Sequence, residues 1–190
     1  MVCVGPEQVH PRTLAELDAS LPHIRQSPAD NGRLELIVRR PVVDGREVLA
    51  EGELDVALGL VGDTWQSRRS SRTADGSAHP DMQLNLMMTR AIEAIAGPIK
   101  RWPLAGDQLF VDFDLSQANV PPGTRLAIGG AMIEVTSQPH TGCNKFAARF
   151  GLDALKWVNT PAGRASGLRG INARVVTPGT VRAGDVVRKV

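Results

Sequence analysis

Hydrophobic and polar positions alternate in several short segments of this 190-residue chain, which is the pattern of β-strands. In the segment 33–40, Leu34, Leu36 and Val38 share one face, while most of the charged residues lie on the other. This pattern predicts a strand that is buried on one face and ends before Pro41. Further strands are predicted at 53–60 and 108–115, and hairpins at 124–137 and 173–190.

Turn-forming dipeptides separate the strands of the two predicted hairpins. Gly129-Gly130 lies between apolar runs, and glycine tolerates the positive φ of a two-residue hairpin turn. Near the end of the chain, Pro178-Gly179 and Gly184-Asp185 interrupt short valine-rich runs. Such punctuation is typical of β-barrels and β-sandwiches.

Three segments have helical patterns. Residues 13–21 predict a short helix in which Thr13 is the N-cap and Glu16 completes a capping box. Apolar residues at helical spacing predict a longer helix over 82–96, which covers a sheet face. A third, short helix is predicted over 144–150.

The many short strands and few helices favour a mainly β fold. They match neither a doubly wound α/β sheet nor a (β/α)8 barrel, in which helices and strands alternate. A length of 190 residues suits one domain. We therefore predict one mainly β domain over 33–190, preceded by an N-terminal helical appendage over 1–32.

Composition and charge exclude several classes of protein. Apolar residues make up 42% of the chain and charged residues 22%, which is ordinary for a soluble globular protein. The formal charge of +2 gives no concentrated basic face of the kind that binds nucleic acid. No run reaches the ~18 apolar residues of a membrane span, and the start lacks a signal-peptide pattern. We expect a cytoplasmic protein with neither nucleic acid nor membrane as a partner.

The segment 139–151, PHTGCNKFAARFG, carries the most distinctive chemistry. Pro139 ends the preceding strand, so Cys143 is predicted at the N-terminus of the short helix that follows. Unpaired amides at that position favour the thiolate over the thiol. Lys145 and Arg149 are four residues apart, share a helix face and add positive charge.

Several roles for Cys143 are open on these grounds alone. Free cysteine is among the most buried residue types, so packing is one of them. A disulfide is not expected, because the only other cysteine, Cys3, lies in a terminal segment. His140 is a candidate base for a Cys-His nucleophile, but the spacing identifies no third residue to orient it. Zinc is not favoured, since the four histidines are scattered.

Several segments, in a fixed order, resemble the MOSC domain family, which is named for the C-terminal domain of molybdenum-cofactor sulfurases. They extend from about residue 33 to the C-terminus: GLVGD, HPDMQLNLM, AGDQLFVDFDLS, LAIGGAMIEVTSQPHTGC and LRGINARVVTPGTVRAGDVVRKV. The resemblance implies a compact MOSC-type β-barrel with a few covering helices. It also implies that Cys143 is the single key cysteine of the family.

The same resemblance implies a function. Family members include molybdenum-cofactor sulfurases, the mitochondrial amidoxime reducing component and bacterial proteins that detoxify N-hydroxylated bases. By resemblance, this chain binds molybdenum cofactor through Cys143 and takes part in reducing N-hydroxylated compounds, with electrons from a separate protein. The alternative is a sulfur carrier in which Cys143 holds a persulfide received from a sulfur-donor protein. No pyridoxal phosphate is expected within so short a chain.

A pterin cofactor carries a phosphate and many hydrogen-bonding groups, so cationic side chains and backbone amides are its expected ligands. The candidate cofactor-binding residues are Arg39, Arg40, Arg68, Thr141, Gly142, Asn144, Lys145 and Arg149. Cys143 and His140 are the candidate catalytic residues, and Cys143 is the candidate metal ligand, since thiolate suits a soft transition metal. A phosphate-binding loop is expected over 65–72, which is basic and rich in hydroxyl groups.

Other polar residues have two explanations at this point. Each of the arginines is also accounted for as a solvated surface charge. Asp63 is explained as a turn residue after Gly62. Arg169 and Asn172 either fix a loop or border a cavity.

Overall fold

The computed structural model describes residues 10–190, so Cys3 and the start of the expected appendage lie outside the described residues. The strands within this range are β1 (Gly32–Arg39), β2 (Glu47–Leu49), β3 (Glu51–Asp55), β4 (Gly59–Leu60), β5 (Leu84–Met88), β6 (Leu109–Asp112), β7 (Arg125–Ile128), β8 (Ala131–Val135), β9 (Ile171–Thr177), β10 (Gly179–Arg182) and β11 (Val186–Lys189). The α-helices are α1 (Leu14–Ala19), α2 (Leu21–Ile24), α3 (Thr89–Ala96), α4 (Asn144–Phe150), α5 (Leu152–Asn159) and α6 (Pro161–Ala165).

Seven strands close a β-barrel in the order β1, β11, β7, β8, β9, β5, β6 and back to β1. Strand β2 pairs with the C-terminal half of β1 and extends the sheet beyond the barrel. Strands β10, β3 and β4 form a second, smaller sheet. Neighbouring strands are antiparallel except β5 and β6, which are parallel. The expected barrel is therefore confirmed.

Helices cover the barrel, and with the 3-10 turns they hold about as many residues as the strands. The predicted capping box of α1 is confirmed, since Thr13 and Glu16 bond each other's backbone amides. Leu17 in α1 and Ile24 in α2 are buried in the same core as the barrel residues. Trp157 of α5 donates to the Asp18 carboxylate at 2.9 Å, which ties α5 to α1.

The helix predicted over 82–96 is wrong in its first half. Leu84–Met88 forms strand β5, and helix α3 begins only at Thr89. Strand β5 lies between β6 and β9 in the barrel wall, and four of its five residues are buried. A strand buried on both faces has no clear alternation, so its apolar run imitated a helical pattern. The predicted end of the helix at Gly97 is correct.

The single strand predicted over 53–60 is a hairpin of β3 and β4. The Asp55 carboxylate accepts hydrogen bonds from the amides of Ala57 and Leu58, which turns the chain after β3. Gly59 follows with φ of 70°, a conformation that favours glycine. Local side-chain bonding therefore overrides the alternating pattern.

The closing hairpin predicted over 173–190 is also wrong, although its strands exist. Strand β9 pairs with β8 and β5, strand β10 with β3, and strand β11 with β1 and β7. Pro-Gly and Gly-Asp dipeptides mark the turns, but the partners of each strand lie far away in the sequence. By contrast, the hairpin predicted at Gly129-Gly130 is confirmed as β7 and β8.

Candidate functional site

Cys143 is the N-cap of α4, as predicted, and it is an exposed free thiol. Its backbone is extended, with φ of −124° and ψ of 178°, and its carbonyl accepts the helical hydrogen bond from Ala147 at 3.0 Å. The thiol makes no capping hydrogen bond to the helix. A packing role is therefore excluded, and the sulfur is free to react or to bind a ligand.

The turn that carries Cys143 is held by Asn159, a residue to which no sequence pattern pointed. The Asn159 carboxamide accepts from the Gly142 amide at 2.9 Å and donates to the Gly142 carbonyl at 3.1 Å. A Cβ at Gly142 would lie 2.8 Å from Leu155 Cδ1, so a larger residue there would require the Leu155 side chain to shift. Asn159 ends α5, a helix that was not predicted, and no local signal linked it to Cys143.

Lys145 and Arg149 share one face of α4, as predicted, and both pair with Asp44 in the segment between β1 and β2. The distances to Asp44 Oδ1 are 3.3 Å from Lys145 Nζ and 3.0 Å from Arg149 Nη2. The hydrogen bond and charge of Lys145 lower the pKa of Asp44. These two cations are thus partly neutralised by a carboxylate of the same surface. Asn144 and Thr141 lie beside them, exposed and half-buried respectively.

His140 lies inside the protein rather than beside the exposed thiol. Its side chain is only 10% exposed, and its Nδ1 lies 3.5 Å from Asp107 Oδ1. Arg169 Nη1 donates to both oxygens of Asp107, at 2.9 and 2.8 Å. Asp107 thus faces His140 as a charged neighbour without a hydrogen bond to it, and sequence spacing had not identified it. No hydrogen bond joins His140 to Cys143 within residues 10–190.

Burial controls the protonation of His140 and Asp107. Desolvation, with smaller effects from the Arg169 and Arg40 charges, lowers the pKa of His140 well below its usual value. Burial also raises the pKa of Asp107, and the Arg169 charge opposes that rise. His140 is therefore neutral at physiological pH.

Arg39 and Arg40 have different environments although they are adjacent. The Arg40 side chain is 3% exposed and bonds the Asp63 carboxylate through Nε and Nη2, both at 2.8 Å. Its remaining donor, Nη1, bonds the Asn85 side chain and the Gly106 carbonyl. Asp63 is therefore a buried ion-pair partner as well as a turn residue. Arg39 is partly exposed and pairs with Glu47 at 2.7 Å.

The basic segment 65–72 lines a cavity of about 150 Å³, which we call the arginine cavity. Its lining includes Trp65, Arg68, Arg69, Ser70, His79 and Asn85. Within residues 10–190, neither Arg68 nor Arg69 has a carboxylate partner. Although much of its side chain meets solvent, the guanidinium of Arg68 is partly desolvated and lies near Arg40. These two effects lower the pKa of Arg68 to about 10, so it remains charged at neutral pH.

A second cavity, of about 140 Å³, is lined by His140, Arg169 and Asn172, and we call it the His140 cavity. A hydrogen bond of 2.6 Å joins Asn172, which lines it, to Asn85, which lines the arginine cavity. Both alternatives for Arg169 and Asn172 therefore hold: they fix neighbouring segments and border a cavity. Cys143 lines neither cavity.

Gln138 links the basic segment 65–72 to the segment that leads to Cys143. Its side-chain oxygen accepts from Arg72 at 3.0 Å, and its carbonyl accepts from Asn172 at 3.1 Å.

The described residues contain no group of three or more His, Cys, Asp or Glu side chains arranged to hold a metal ion. Over the same range, no helix has the length and apolar character needed to cross a membrane.

The sequence matches the model of the MOSC domain over residues 74–188. Among solved structures, YuaD from Bacillus subtilis has a TM-score of 0.57 and 18% identity, and the match covers 83% of this chain and 94% of that one. YiiM from Escherichia coli has a TM-score of 0.54 and 23% identity, with coverage of 83% and 69%. A hypothetical protein of known structure has a TM-score of 0.57 and 21% identity, with coverage of 85% and 68%.

At these identities the structural matches establish the fold alone. No curated protein sequence matches the chain. The family model, in contrast, spans more than half of the chain and includes Cys143, Asp107 and the closing strands. This chain belongs to the MOSC domain family.

Proposed function

We propose that this chain is a stand-alone MOSC protein that binds a molybdenum cofactor through Cys143 and takes part in reducing N-hydroxylated compounds. The observation that carries the proposal is the exposed, unbonded Cys143 thiol at the end of a turn held by Asn159. Such a sulfur is free to bind a soft metal. The protein acts with a separate electron-donor protein, and a cytoplasmic location agrees with this role.

The arginine cavity offers groups that suit the phosphate of such a cofactor. Arg68 and Arg69 are cations without carboxylate partners in the described part of the chain, and Ser70 adds a hydroxyl beside them. Guanidinium groups bind phosphate through paired hydrogen bonds. At about 150 Å³ the arginine cavity suits a terminal phosphate rather than a complete pterin.

The other predicted cofactor residues differ in how far they are available. Arg40 is committed to Asp63, Asn85 and Gly106, and Arg39 to Glu47. Lys145 and Arg149 share Asp44, so they would bind a phosphate only in competition with that carboxylate. The Gly142 amide is used by Asn159. Arg68 and Arg69 are therefore the first candidates for the phosphate.

A bound molybdenum centre would supply two-electron redox chemistry. Reduction of an N-hydroxylated compound consumes two electrons and two protons, breaks the N–O bond and releases water. The electrons come from the separate donor protein, which is oxidised. The part played by this chain is to hold the metal through Cys143 and to keep that sulfur in a fixed position through the Gly142–Asn159 bonds.

Metal content of protein made in a cofactor-competent host tests the proposal. We expect molybdenum to purify with the unaltered chain and to be lost from Cys143→Ala. Cys3→Ala is the matched control, because it removes the other cysteine, and it should keep the metal. Equal molybdenum in Cys143→Ala and the unaltered chain would contradict the proposal.

A second function, sulfur transfer, is favoured by the same exposed thiol, because a persulfide needs an accessible sulfur. In this role Cys143 accepts sulfur from a cysteine desulfurase and passes it to another protein or metal centre. Incubation with a desulfurase and cysteine should then add one sulfur atom to Cys143, as measured by mass spectrometry. A peptide containing Cys143 that stays unmodified excludes this role.

A further inference from the structure

The His140 cavity has a mixed lining that differs from that of the arginine cavity. Leu115, Val120 and Val135 contribute apolar surface, while His140 contributes a ring with unused polar atoms. Its volume is about 140 Å³. For comparison, an apolar cavity of about 150 Å³ in another protein holds one benzene molecule. The space therefore fits a compound with a single six-membered ring.

Most polar groups around the cavity already have partners within the protein. The Asn172 side chain accepts from Asn85 and donates to the Gln138 carbonyl, at 2.6 and 3.1 Å. The Thr136 hydroxyl donates to the Asp81 carbonyl at 2.6 Å. These groups shape the cavity and have little hydrogen-bonding capacity left for a ligand.

His140 is different, because neither of its ring nitrogens has a hydrogen-bond partner among the described residues. Within the same range, the other fully buried, unpaired atom on a lining residue is Arg169 Nε, a donor that suits the oxygen of a hydroxyl ligand. Nδ1 is fully buried and faces Asp107 Oδ1 at 3.5 Å, which is too long for a hydrogen bond. Nε2 bonds no protein group in residues 10–190 and is not among the fully buried atoms, so it remains accessible. Buried polar groups are nearly always paired, and an exception calls for an explanation such as a ligand.

The surroundings of His140 determine whether Nε2 donates or accepts a hydrogen bond. Because Nδ1 faces the Asp107 carboxylate, the ring proton belongs on Nδ1, and Nε2 carries the lone pair. The carboxylate is paired with Arg169, so the interior cluster contributes little net charge to the cavity. Arg164 also lines the cavity and is exposed, which disfavours a cationic ligand. The cavity therefore favours a neutral molecule that donates a hydrogen bond.

We propose that the His140 cavity is a binding site for a neutral, single-ring compound that carries an O–H or N–H group. The donor group bonds His140 Nε2, and the ring packs on Leu115, Val120 and Val135. This site is separate from the thiol, because Cys143 does not line the cavity. It requires neither a metal nor an electron donor.

Fluorine NMR titration of the full chain with 4-fluorophenol and fluorobenzene tests the proposal. The two probes have rings of the same size, but only the phenol donates a hydrogen bond. We expect 4-fluorophenol to bind with a Kd of about 1 mM or tighter, as befits a ligand of few atoms. His140→Phe keeps a ring but removes both nitrogens, and it should weaken phenol binding about tenfold. His79→Phe, the same substitution in the arginine cavity, should leave phenol binding unchanged.

Three results would overturn the proposal: no binding of 4-fluorophenol, equal affinity for fluorobenzene, or equal affinity of His140→Phe. The first would mean that water alone occupies the cavity. If His140→Phe does not fold, Val120→Phe, which fills the cavity, should abolish phenol binding instead. Cys143→Ala should bind the phenol normally, so failure of this site and failure of the proposed cofactor role are distinguishable.

Discussion

Asn159 bonds both backbone groups of Gly142, accepting from its amide at 2.9 Å and donating to its carbonyl at 3.1 Å. Gly142 directly precedes Cys143, so the end of α5 determines where the thiol stands. The two hydrogen bonds connect segments that are 17 residues apart in the sequence. The backbone before Cys143 is fixed, while its sulfur makes no hydrogen bond to the helix. A metal ligand or a sulfur carrier requires this arrangement.

Asn159→Leu should destabilise the protein, because it leaves both backbone groups of Gly142 without their partner. We expect the free energy of unfolding to fall by about 1–3 kcal/mol, as measured by urea denaturation. Asn144→Ala is the control, since Asn144 is exposed and its side chain has no bond in the described part of the chain. Similar losses in the two variants would show that the Gly142 bonds do not hold the turn.

Arg40→Met should be far more damaging than Arg39→Met. Arg40 and Asp63 form a fully buried ion pair, so removal of the arginine strands a buried carboxylate. Such losses cost about 3–5 kcal/mol, whereas a partly exposed pair such as Arg39 with Glu47 contributes about 0–1 kcal/mol. Thermal or urea unfolding of both variants measures the difference. If they are equally stable, the buried pair is not a main support of the site.

Mild acid should destabilise the protein through His140. The pKa of His140 is well below the ordinary 6.5 in the folded chain, so below pH 6.5 the unfolded state binds a proton that the folded state does not. The contribution of the neutral His140 to the free energy of unfolding is therefore fully present above pH 6.5, and it is lost as the pH drops below that value. Between pH 7 and 5 this one group should remove at most about 2 kcal/mol, the limit reached when the folded state takes up no proton in that range.

His140→Phe provides the comparison for this pH effect. Its unfolding free energy should decrease less over the same pH range, because phenylalanine does not titrate. Urea denaturation at several pH values measures both slopes, and other ionisable groups largely cancel in the difference. Parallel slopes would mean that His140 is protonated equally in both states.

The double substitution Arg68→Met and Arg69→Met should weaken retention of the proposed cofactor. Each guanidinium is expected to donate charge-assisted hydrogen bonds to phosphate, so the affinity should fall at least about tenfold. Molybdenum content after gel filtration measures the retention. Arg39→Met is the control, because Arg39 is paired with Glu47 and should keep the metal. If Arg39→Met lost the metal and the double variant kept it, Arg68 and Arg69 would not be the residues that bind the phosphate.

Local rules predicted the parts of the site that are continuous in sequence. The turn and helix α4 begin after Pro139 and end at Gly151, and the effects of these two residues on the backbone depend on nearby residues only. Cys143 at the N-cap and the shared face of Lys145 and Arg149 follow from that helix. Asp107, Asn159 and Asp63 were missed in their roles because each acts on a residue at least 17 positions away.

The sequence by itself determined strands such as β1 and β6, the Gly129-Gly130 hairpin, the capping box of α1 and the helix behind Cys143. These follow from side-chain periodicity, turn residues and caps, which act over a few residues. Only the tertiary structure decided that β9, β10 and β11 join three different sets of strands and that His140 turns inward to Asp107. Barrel closure and burial bring distant residues together, and no short-range pattern records which ones will meet.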